Sequence, residues 1–246
     1  MNDIGILFSI NPTPCYDITS GKKTREIRKK APKLSTPFKG YIYCTKPKGV
    51  NNFALCLDHE TGKVGYLHPS NYPIADRYNL EILSEKVIGE FVCDYIEEYE
   101  MEGYDKDADV FQAICRVEHE EDIGDTFYFY EVTNEMTEEE QLSAPILRES
   151  CLSFDEIGKY VCGKGDIGFH TFYSLHISEL KIYDKPKDLS EFYIPCYSGC
   201  KDCGYRSVDS FFGEKELVCT VSNKKPIKRP PQSWCYVRCL KSKGES

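Results

Sequence analysis

Hydrophobic and polar positions alternate in short runs along most of this chain, which is the pattern of β-strands separated by turns. Proline, glycine and asparagine punctuate the runs, and residues 46–62 are especially rich in turn formers. The strands predicted from this pattern are residues 4–10, 24–29, 38–45, 64–68, 87–98, 127–132, 171–183 with an interruption near Ser178, and 234–240. Residues 110–117 have the apolar content of a further strand or helix, so the pattern predicts a strand-rich protein.

Three short helices are predicted between these strands, at residues 12–20, 137–142 and 152–162. In the third, Ser153 is followed three residues later by Glu156, which is the spacing of a capping box. Helical periodicity there places Phe154, Ile157, Tyr160 and Val161 on one face. Because no period of 20 to 50 residues recurs, the pattern predicts an α+β fold rather than a repeat protein.

A charged octapeptide follows the first predicted helix, and its sequence is Gly21-Lys22-Lys23-Thr24-Arg25-Glu26-Ile27-Arg28. The glycine can end the helix in a left-handed conformation without steric cost. In the strand that follows, alternate side chains share a face, so Thr24, Glu26 and Arg28 emerge together and Lys23 lies on the turn that leads into them. This arrangement predicts a polar ligand pocket.

The form Gly-x-Lys-x-x-Glu-x-Arg, placed between two strands, resembles the motif of the ASCH domain family, whose members have a PUA-like fold. The flanking segments that carry the resemblance are residues 6–12, 41–45 and 87–94, together with the tail at residues 229–237, which is similar to the closing strand of prophage-type members. The resemblance implies a PUA-like mixed β-barrel with a few short helices and a cysteine-rich C-terminal insertion.

The same resemblance implies one elaborated domain over residues 1–246. Its predicted segments are a barrel core at 1–99, an acidic insertion at 100–150, a helix and strands at 151–190, a cysteine-rich loop at 191–222 and a closing strand at 228–240.

Some ASCH-type members hydrolyse acetylcytidine, and others bind or cleave RNA. Lys23 matches the motif lysine and Arg28 matches the motif arginine. Where the hydrolases have a threonine, three residues after the lysine, this chain has Glu26. A carboxylate attacks an amide poorly and is better suited to act as a base or as a hydrogen-bond acceptor. The resemblance also implies a distant glutamate, for which Glu90 is the candidate.

Charge is unevenly distributed along the chain, whose formal net charge is −9. Residues 22–48 contain ten Lys or Arg against one acid, and residues 215–243 contain eight against one, whereas residues 85–156 contain twenty-three acids against four bases. If the last strand returns beside the first, the two basic segments form one surface suited to phosphate binding. The alternative is that they pair with the acidic middle of the chain.

The chain has 13 cysteines, an odd number that argues against a disulfide framework. Cys196, Cys200, Cys203 and Cys219 have spacings that fit a tetrahedral structural zinc site, with free or redox-active thiols as the alternative. The other cysteines are interpreted as small buried residues: Cys15, Cys44, Cys56, Cys93, Cys115, Cys151, Cys162, Cys235 and Cys239.

The start of the chain has no basic leader, and no run of about 20 apolar residues is present to cross a membrane. A cytoplasmic protein that does not bind a membrane is therefore expected.

The leading hypothesis is a module that binds RNA or a nucleotide. Lys23, Thr24, Glu26, Arg28 and Lys46 are the predicted contacts to phosphate or base edges. The second hypothesis is an amidohydrolase or ribonuclease in which Lys23 and Glu26 are catalytic. The third is a phage-encoded module whose acidic middle binds a protein partner.

Overall fold

The structure of the protein is a computed structural model that describes residues 4–48, 53–102, 111–120, 124–163, 168–194, 206–209, 216–219 and 226–239. The chain divides into two compact units. The first unit comprises Met1–Cys15, Phe38–Glu90 and Lys181–Ser246, and the second comprises Tyr16–Pro37 and Phe91–Leu180. These divisions differ from the predicted segments, since the octapeptide strand belongs to the second unit. The single domain predicted from the sequence stays a prediction.

The described residues form an α+β fold with mostly strands, a curled half-barrel sheet and few helices. The strands are β1 (Gly5–Ile10), β2 (Arg25–Arg28), β3 (Phe38–Cys44), β4 (Ala54–Asp58), β5 (Lys63–Leu67), β6 (Leu80–Ile82), β7 (Lys86–Cys93), β8 (Ile96–Glu102), β9 (Ala113–Glu120), β10 (Asp125–Thr133), β11 (Phe169–His176), β12 (Ser178–Lys187), β13 (Phe192–Tyr193), β14 (Arg206–Asp209), β15 (Glu216–Cys219) and β16 (Trp234–Cys239). The helices are α1 (Pro12–Thr19), α2 (Glu138–Ser143), α3 (Pro145–Ser150) and α4 (Phe154–Val161), with 3-10 helices at Pro69–Tyr78 and Leu189–Glu191.

Strand β1 lies at the centre of the first unit and is buried along its whole length. It pairs in parallel with β3 and antiparallel with β16, with Phe8 opposite both Ile42 and Trp234. The full strand order is β12-β7-β3-β1-β16-β13. Ile6, Leu7 and Phe8 are fully buried, and each such side chain contributes about 1.5–3 kcal/mol of hydrophobic stabilisation. The last strand, β16, therefore lies beside the first strand, β1.

A three-stranded sheet in the first unit, in the order β5-β4-β6, includes a strand that the sequence pattern missed. Residues 46–62 were predicted to be turns, but Ala54–Asp58 form β4. The hairpin turn that follows is closed by Asp58, whose carboxylate accepts hydrogen bonds from the backbone N–H groups of Glu60 (2.8 Å) and Thr61 (3.3 Å). The prediction was wrong because the turn formers around β4 outweighed its short apolar run of Ala54-Leu55-Cys56-Leu57.

The second unit contains a five-stranded sheet in the order β10-β9-β8-β11-β2. One face of this sheet forms a core with helices α3 and α4. The core includes Ile27, Tyr99, Met101, Ile114, Val132, Ile146, Leu147, Phe154, Ile157, Val161 and Phe172. The capping box of Ser153 and Glu156 is confirmed at the start of α4. Tyr160, predicted to share the buried helix face, is 38% exposed instead and lies against Lys29, whose Nζ is 5.5 Å from the ring centroid.

The predicted strand at residues 87–98 is two strands, β7 and β8, that belong to different sheets. Asp94 and Tyr95 separate these two strands. The carbonyl of Tyr95 accepts a hydrogen bond from the backbone N–H of His176 (3.2 Å), and the carboxylate of Asp94 bonds the His176 ring (2.6 Å). These contacts with a distant segment hold the break, so local sequence patterns could not predict it.

Residues 100–150 were predicted to be an acidic insertion, and their described part supplies much of the second unit. It contains the end of β8, strands β9 and β10, and helices α2 and α3. The predicted strand at 127–132 and the predicted helix at 137–142 are confirmed as β10 and α2. Among the described residues, no helix has the length and apolar character needed to cross a membrane.

A glycine in β7 gives a test of how tightly the first unit packs. A Cβ added to Gly89 would lie 2.6 Å from the carbonyl oxygen of Lys181 on β12. We expect Gly89→Ala to lower the free energy of unfolding by about 1–3 kcal/mol, because the strands must separate to accept the methyl group. Gly65→Ala is the matched control, since nothing lies within 4 Å of a Cβ at that strand position. Denaturant unfolding of both variants measures the difference, and equal stabilities would contradict the packing described here.

Candidate functional site

The first unit has an open hollow of about 720 Å³ at the edge of the sheet where β1 and β3 end. Its lining residues are Asn11, Pro12, Thr13, Pro14, Pro47, Lys48, Phe53 and Tyr66. We refer to these residues as the first-unit hollow.

Parallel pairing of β1 with β3 builds two walls of the first-unit hollow. Ile10 lies opposite Cys44, so the segments that leave these strands start side by side. The backbone N–H of Thr45 donates to the Ile10 carbonyl (2.8 Å), and the Thr45 hydroxyl donates to the side-chain oxygen of Asn11 (3.0 Å). The start of α1 and the segment of Pro47 and Lys48 are therefore held next to each other.

Two aromatic rings complete the lining and remain accessible to solvent. Phe53 is 37% exposed and Tyr66 is 44% exposed. Phe53 packs edge-on against the His68 ring, with 5.2 Å between ring centroids, and this contact limits its rotation. Tyr66 lies on β5 opposite Leu55 of β4. An exposed ring that is held by a neighbour can provide a surface for a planar ligand.

Cationic charge at the first-unit hollow comes from lysines rather than from the helix end. Lys46 and Lys48 are both exposed. Helix α1 begins at Pro12, and Pro14 follows two residues later, so two of its first three residues have no backbone N–H to donate. An anion at this hollow would therefore depend on the two lysine side chains.

The predicted residues Lys23, Glu26 and Arg28 do come together in the second unit. The ammonium of Lys23 is 3.4 Å from one carboxylate oxygen of Glu26, and the guanidinium of Arg28 is 2.8 Å from the other. Lys23 also donates to the carbonyl of Ser150 (2.8 Å) at the end of α3. We call Lys23, Glu26 and Arg28 the buried triad, because their side chains are only 3%, 8% and 9% exposed.

Local structure explains how the octapeptide forms the buried triad. Gly21 has a φ of 74° after the end of α1, as predicted, and the turn directs the N–H groups of Lys22 and Lys23 to the Asp17 carbonyl. Strand β2 then pairs with β11, with Glu26 opposite Leu175 and Arg28 opposite Tyr173. Alternation along β2 places Glu26 and Arg28 on one face, as the sequence predicts.

Thr24 and Lys46, the other two predicted ligand contacts, are not part of the buried triad. Thr24 is partly buried, and its backbone N–H donates to the Glu149 carbonyl (2.8 Å). Lys46 belongs to the first unit and is exposed beside the first-unit hollow. Glu90, the candidate for a distant glutamate, is also in the first unit, where it accepts hydrogen bonds from Lys39 (2.9 Å) and from the Tyr183 hydroxyl (2.7 Å).

A second ionic network in the second unit, on the opposite face of β2, was missed by the sequence reasoning. Arg25 forms ion pairs with Glu97 of β8 and with Glu149 of α3, the latter at 2.6 Å. Burial alone would lower the pKa of Arg25, but the hydrogen bonds that its guanidinium donates to Glu149 and Glu97 raise the pKa above its ordinary value. Burial tends to raise the pKa of Glu149, but the hydrogen bonds from Arg25 and Arg148 outweigh it, so the pKa is lowered. Arg25 therefore ties together three elements of the second unit.

The predicted zinc ligands are mostly outside the described residues. Cys196, Cys200 and Cys203 are not described, and Cys219 is the last residue of β15, where it lies opposite Arg206. Within the described residues, no group of three or more His, Cys, Asp or Glu side chains is arranged to hold a metal ion. The structural zinc site stays a prediction.

Most other described cysteines are buried as predicted: Cys15, Cys44, Cys56, Cys93, Cys115 and Cys162. Cys235 is partly buried, and burial raises the pKa of its thiol to about 11. Cys239 lies at the end of β16, opposite Phe192. Cys151 contradicts the prediction because it is exposed. It adopts a φ of 54° in the turn that ends α3, and this turn directs its side chain out of the core.

Lys48, Phe53, Tyr66 and the start of α1 were not predicted as site residues. Parallel strands bring the segments that follow them to one edge of the sheet. The positions of β1 and β3 were therefore the signal that could have indicated this site. Lys46, which was predicted to contact the ligand, lies at that same edge.

Comparison of the chain with protein-family models finds no match, and comparisons with curated proteins and with solved structures find none either. The resemblance to the ASCH family therefore stays a prediction that depends on the residues quoted above.

The burial of the triad leads to a prediction about stability. Glu26→Gln removes the negative charge that lies between Lys23 and Arg28 and leaves two buried cations. We expect the free energy of unfolding to fall by about 3–5 kcal/mol, because an uncompensated buried charge is costly. Glu139→Gln, on the exposed surface of α2, is the control and should change it by less than about 0.5 kcal/mol. A Glu26→Gln protein as stable as the control would show that the triad does not stabilise the fold.

The lowered pKa of Glu149 predicts how its contribution depends on pH. A carboxyl whose pKa is lower in the folded state stabilises the fold above its unfolded pKa, and this contribution is lost as pH falls through the folded pKa. Glu149→Gln should therefore be less stable than the original chain at neutral pH. The difference should shrink as pH falls below the ordinary value of 4.5 and vanish once pH is below the lowered folded-state pKa. Urea unfolding over this pH range measures it, and a difference that grows on acidification would contradict the assignment.

Proposed function

We propose that this protein binds single-stranded RNA or a nucleotide in the first-unit hollow. The observation that carries the proposal is the presence of two exposed aromatic rings, Phe53 and Tyr66, in one hollow with the exposed Lys48. Rings of this kind stack on nucleobases, and lysines contact phosphates.

Stacking on the aromatic rings contributes binding energy that depends on neither charge nor base identity. Each base that stacks on an aromatic side chain contributes about 1–3 kcal/mol to the free energy of binding. The lining also includes Pro12, Pro14 and Pro47, whose fixed rings give a stiff apolar surface. A volume of about 720 Å³ accommodates a base and its sugar rather than a duplex.

Electrostatic attraction between lysines and phosphates is the second contribution to binding. The formal net charge of −9 opposes general attraction of polyanions, so affinity must come from local cations. Lys46 and Lys48 provide them in the first unit, and both follow the end of β3 on the segment that lines the hollow. Contacts of this kind release counterions, so binding should weaken as salt concentration rises.

The buried triad contributes to the fold in this proposal rather than to ligand contact. Both carboxylate oxygens of Glu26 are engaged by cations, and Lys23 is also engaged by the Ser150 carbonyl. A general base needs access to substrate, and the Glu26 side chain is only 8% exposed. We therefore expect no cleavage of RNA and no release of acetate from acetylcytidine, and product formation that is lost in Glu26→Gln would favour the enzyme hypothesis instead.

The binding test uses a fluorescent single-stranded RNA of ten nucleotides and measures affinity by anisotropy at several salt concentrations. In Lys46→Gln/Lys48→Gln, binding should be weaker, and the slope of log affinity against log salt should be about 1.4 less steep because two phosphate contacts are lost. Phe53→Leu should weaken binding by about fivefold or more with the salt slope unchanged, because stacking is lost and charge is kept.

Lys63→Gln is the matched control, since Lys63 is exposed in the same unit but does not line the hollow. Binding that is insensitive to salt, or that falls as much in the control as in the double variant, would contradict the proposal.

A further inference from the structure

A second hollow lies in the second unit, on the face of the five-stranded sheet opposite the core. Its volume is about 500 Å³, and its lining residues are Glu100, Glu102, Cys115, Tyr128, Tyr130 and Phe169. Strand alternation explains the set: Tyr99 and Met101 of β8 point into the core, so Glu100 and Glu102 point to the other face. We call this set the carboxylate hollow.

Strand register places these side chains in rows across the sheet. Tyr130 lies opposite Cys115, and Cys115 lies opposite Glu100. Glu102 lies opposite Phe169 in the next row. The two carboxylates thus lie between aromatic rings on β10 and on β11, with the small side chain of Cys115 between Tyr130 and Glu100.

The three aromatic side chains are unusually exposed. Tyr128 is 52% exposed, Tyr130 is 59% exposed and Phe169 is 69% exposed. Large exposed rings grouped on one face mark a surface that meets a partner more often than isolated exposed rings do.

The carboxylates lack partners of opposite charge in the part of the chain that the structure describes. There, neither a hydrogen bond nor an ion pair reaches the side chain of Glu100 or Glu102. Burial and the nearby charge of Glu98 raise the pKa of Glu100, while His119 offsets this in part. His119 lies nearer to Glu98, at 3.6 Å. A cation bound in the hollow would offset the repulsion that Glu98 exerts on the carboxylate of Glu100.

The protonation state of the Cys115 thiol argues against thiol chemistry in this hollow. Burial, together with the charges of Glu102 and Glu100, raises the pKa of Cys115 to about 11. The thiol therefore stays protonated near neutral pH and is a poor nucleophile. The hollow is therefore suited to binding a ligand rather than to thiol catalysis.

We propose that the carboxylate hollow binds the ammonium groups of lysine side chains in an extended basic segment of a partner protein. Aromatic faces attract organic cations, and the carboxylates supply the complementary charge. Glu100 and Glu102 are two residues apart on one strand, which is about 7 Å, and lysines at alternate positions of an extended peptide have the same spacing. This charge and spacing complementarity defines the partner, and the proposal does not depend on RNA binding by the first unit.

The experiment titrates the full chain with a peptide in which lysine alternates with serine over seven residues and measures affinity by calorimetry. We expect binding that becomes about tenfold weaker in Glu100→Gln/Glu102→Gln, because two ion pairs are lost. Tyr128→Leu/Tyr130→Leu keeps the apolar surface but removes the aromatic faces, and it should weaken binding by about threefold.

Two controls decide whether the site is specific. Glu138→Gln/Glu139→Gln removes the same charge from the exposed first turn of α2 and should leave the affinity unchanged. A peptide with norleucine in place of each lysine keeps the four-carbon side chain but lacks the ammonium group, and it should not bind. The proposal is overturned if the lysine peptide does not bind, if the norleucine peptide binds equally well, or if both double glutamine variants lose affinity to the same extent.

Discussion

The parallel pairing of β1 with β3 is the constraint on which the rest of the first unit depends. It places the fully buried strand β1 in the middle of the sheet and brings the segments after Ile10 and Cys44 to one edge. The hydrogen bonds of Thr45 to Ile10 and Asn11 fix that edge. The first-unit hollow exists because two chain segments that are distant in sequence leave the sheet side by side, and its aromatic wall is added by the β4–β5 hairpin.

Burial separates the charged residues of this protein into two groups with different consequences. The buried triad is desolvated, and its two cations share the single carboxylate of Glu26, so its ion pairs help to hold β2 and the end of α3 in the second unit. Lys46 and Lys48 remain in water, where they contribute little to stability but keep their charge free for a ligand. Residues with the same side-chain chemistry thus serve structure in one unit and are proposed to serve recognition in the other.

The sequence predicted the elements that depend on local patterns, and it failed where distant contacts decide. The turn at Gly21, the shared face of Glu26 and Arg28 and the capping box at Ser153 follow from rules that span a few residues, and all three were predicted. The break at Asp94 depends on bonds to His176, which is 82 residues away, so the pattern predicted one strand instead of two. The convergence of the triad was predicted, whereas its burial depends on tertiary packing that the strand pattern does not contain. The first-unit hollow was missed because its lining comes from four separate segments, two of which lie in the stretch 46–62 that was interpreted as turns only.

RNA or a nucleotide is proposed to stack against Phe53 and Tyr66 in the first unit. Zero-length photocrosslinking of a single-stranded RNA to the full chain, followed by mass spectrometry of the crosslinked peptides, locates the contact, because a side chain that stacks on a base lies close enough to form a bond with it. We expect crosslinks at Phe53 or Tyr66. Crosslinks confined to the tyrosines of the carboxylate hollow, or a complete absence of crosslinks, would contradict it.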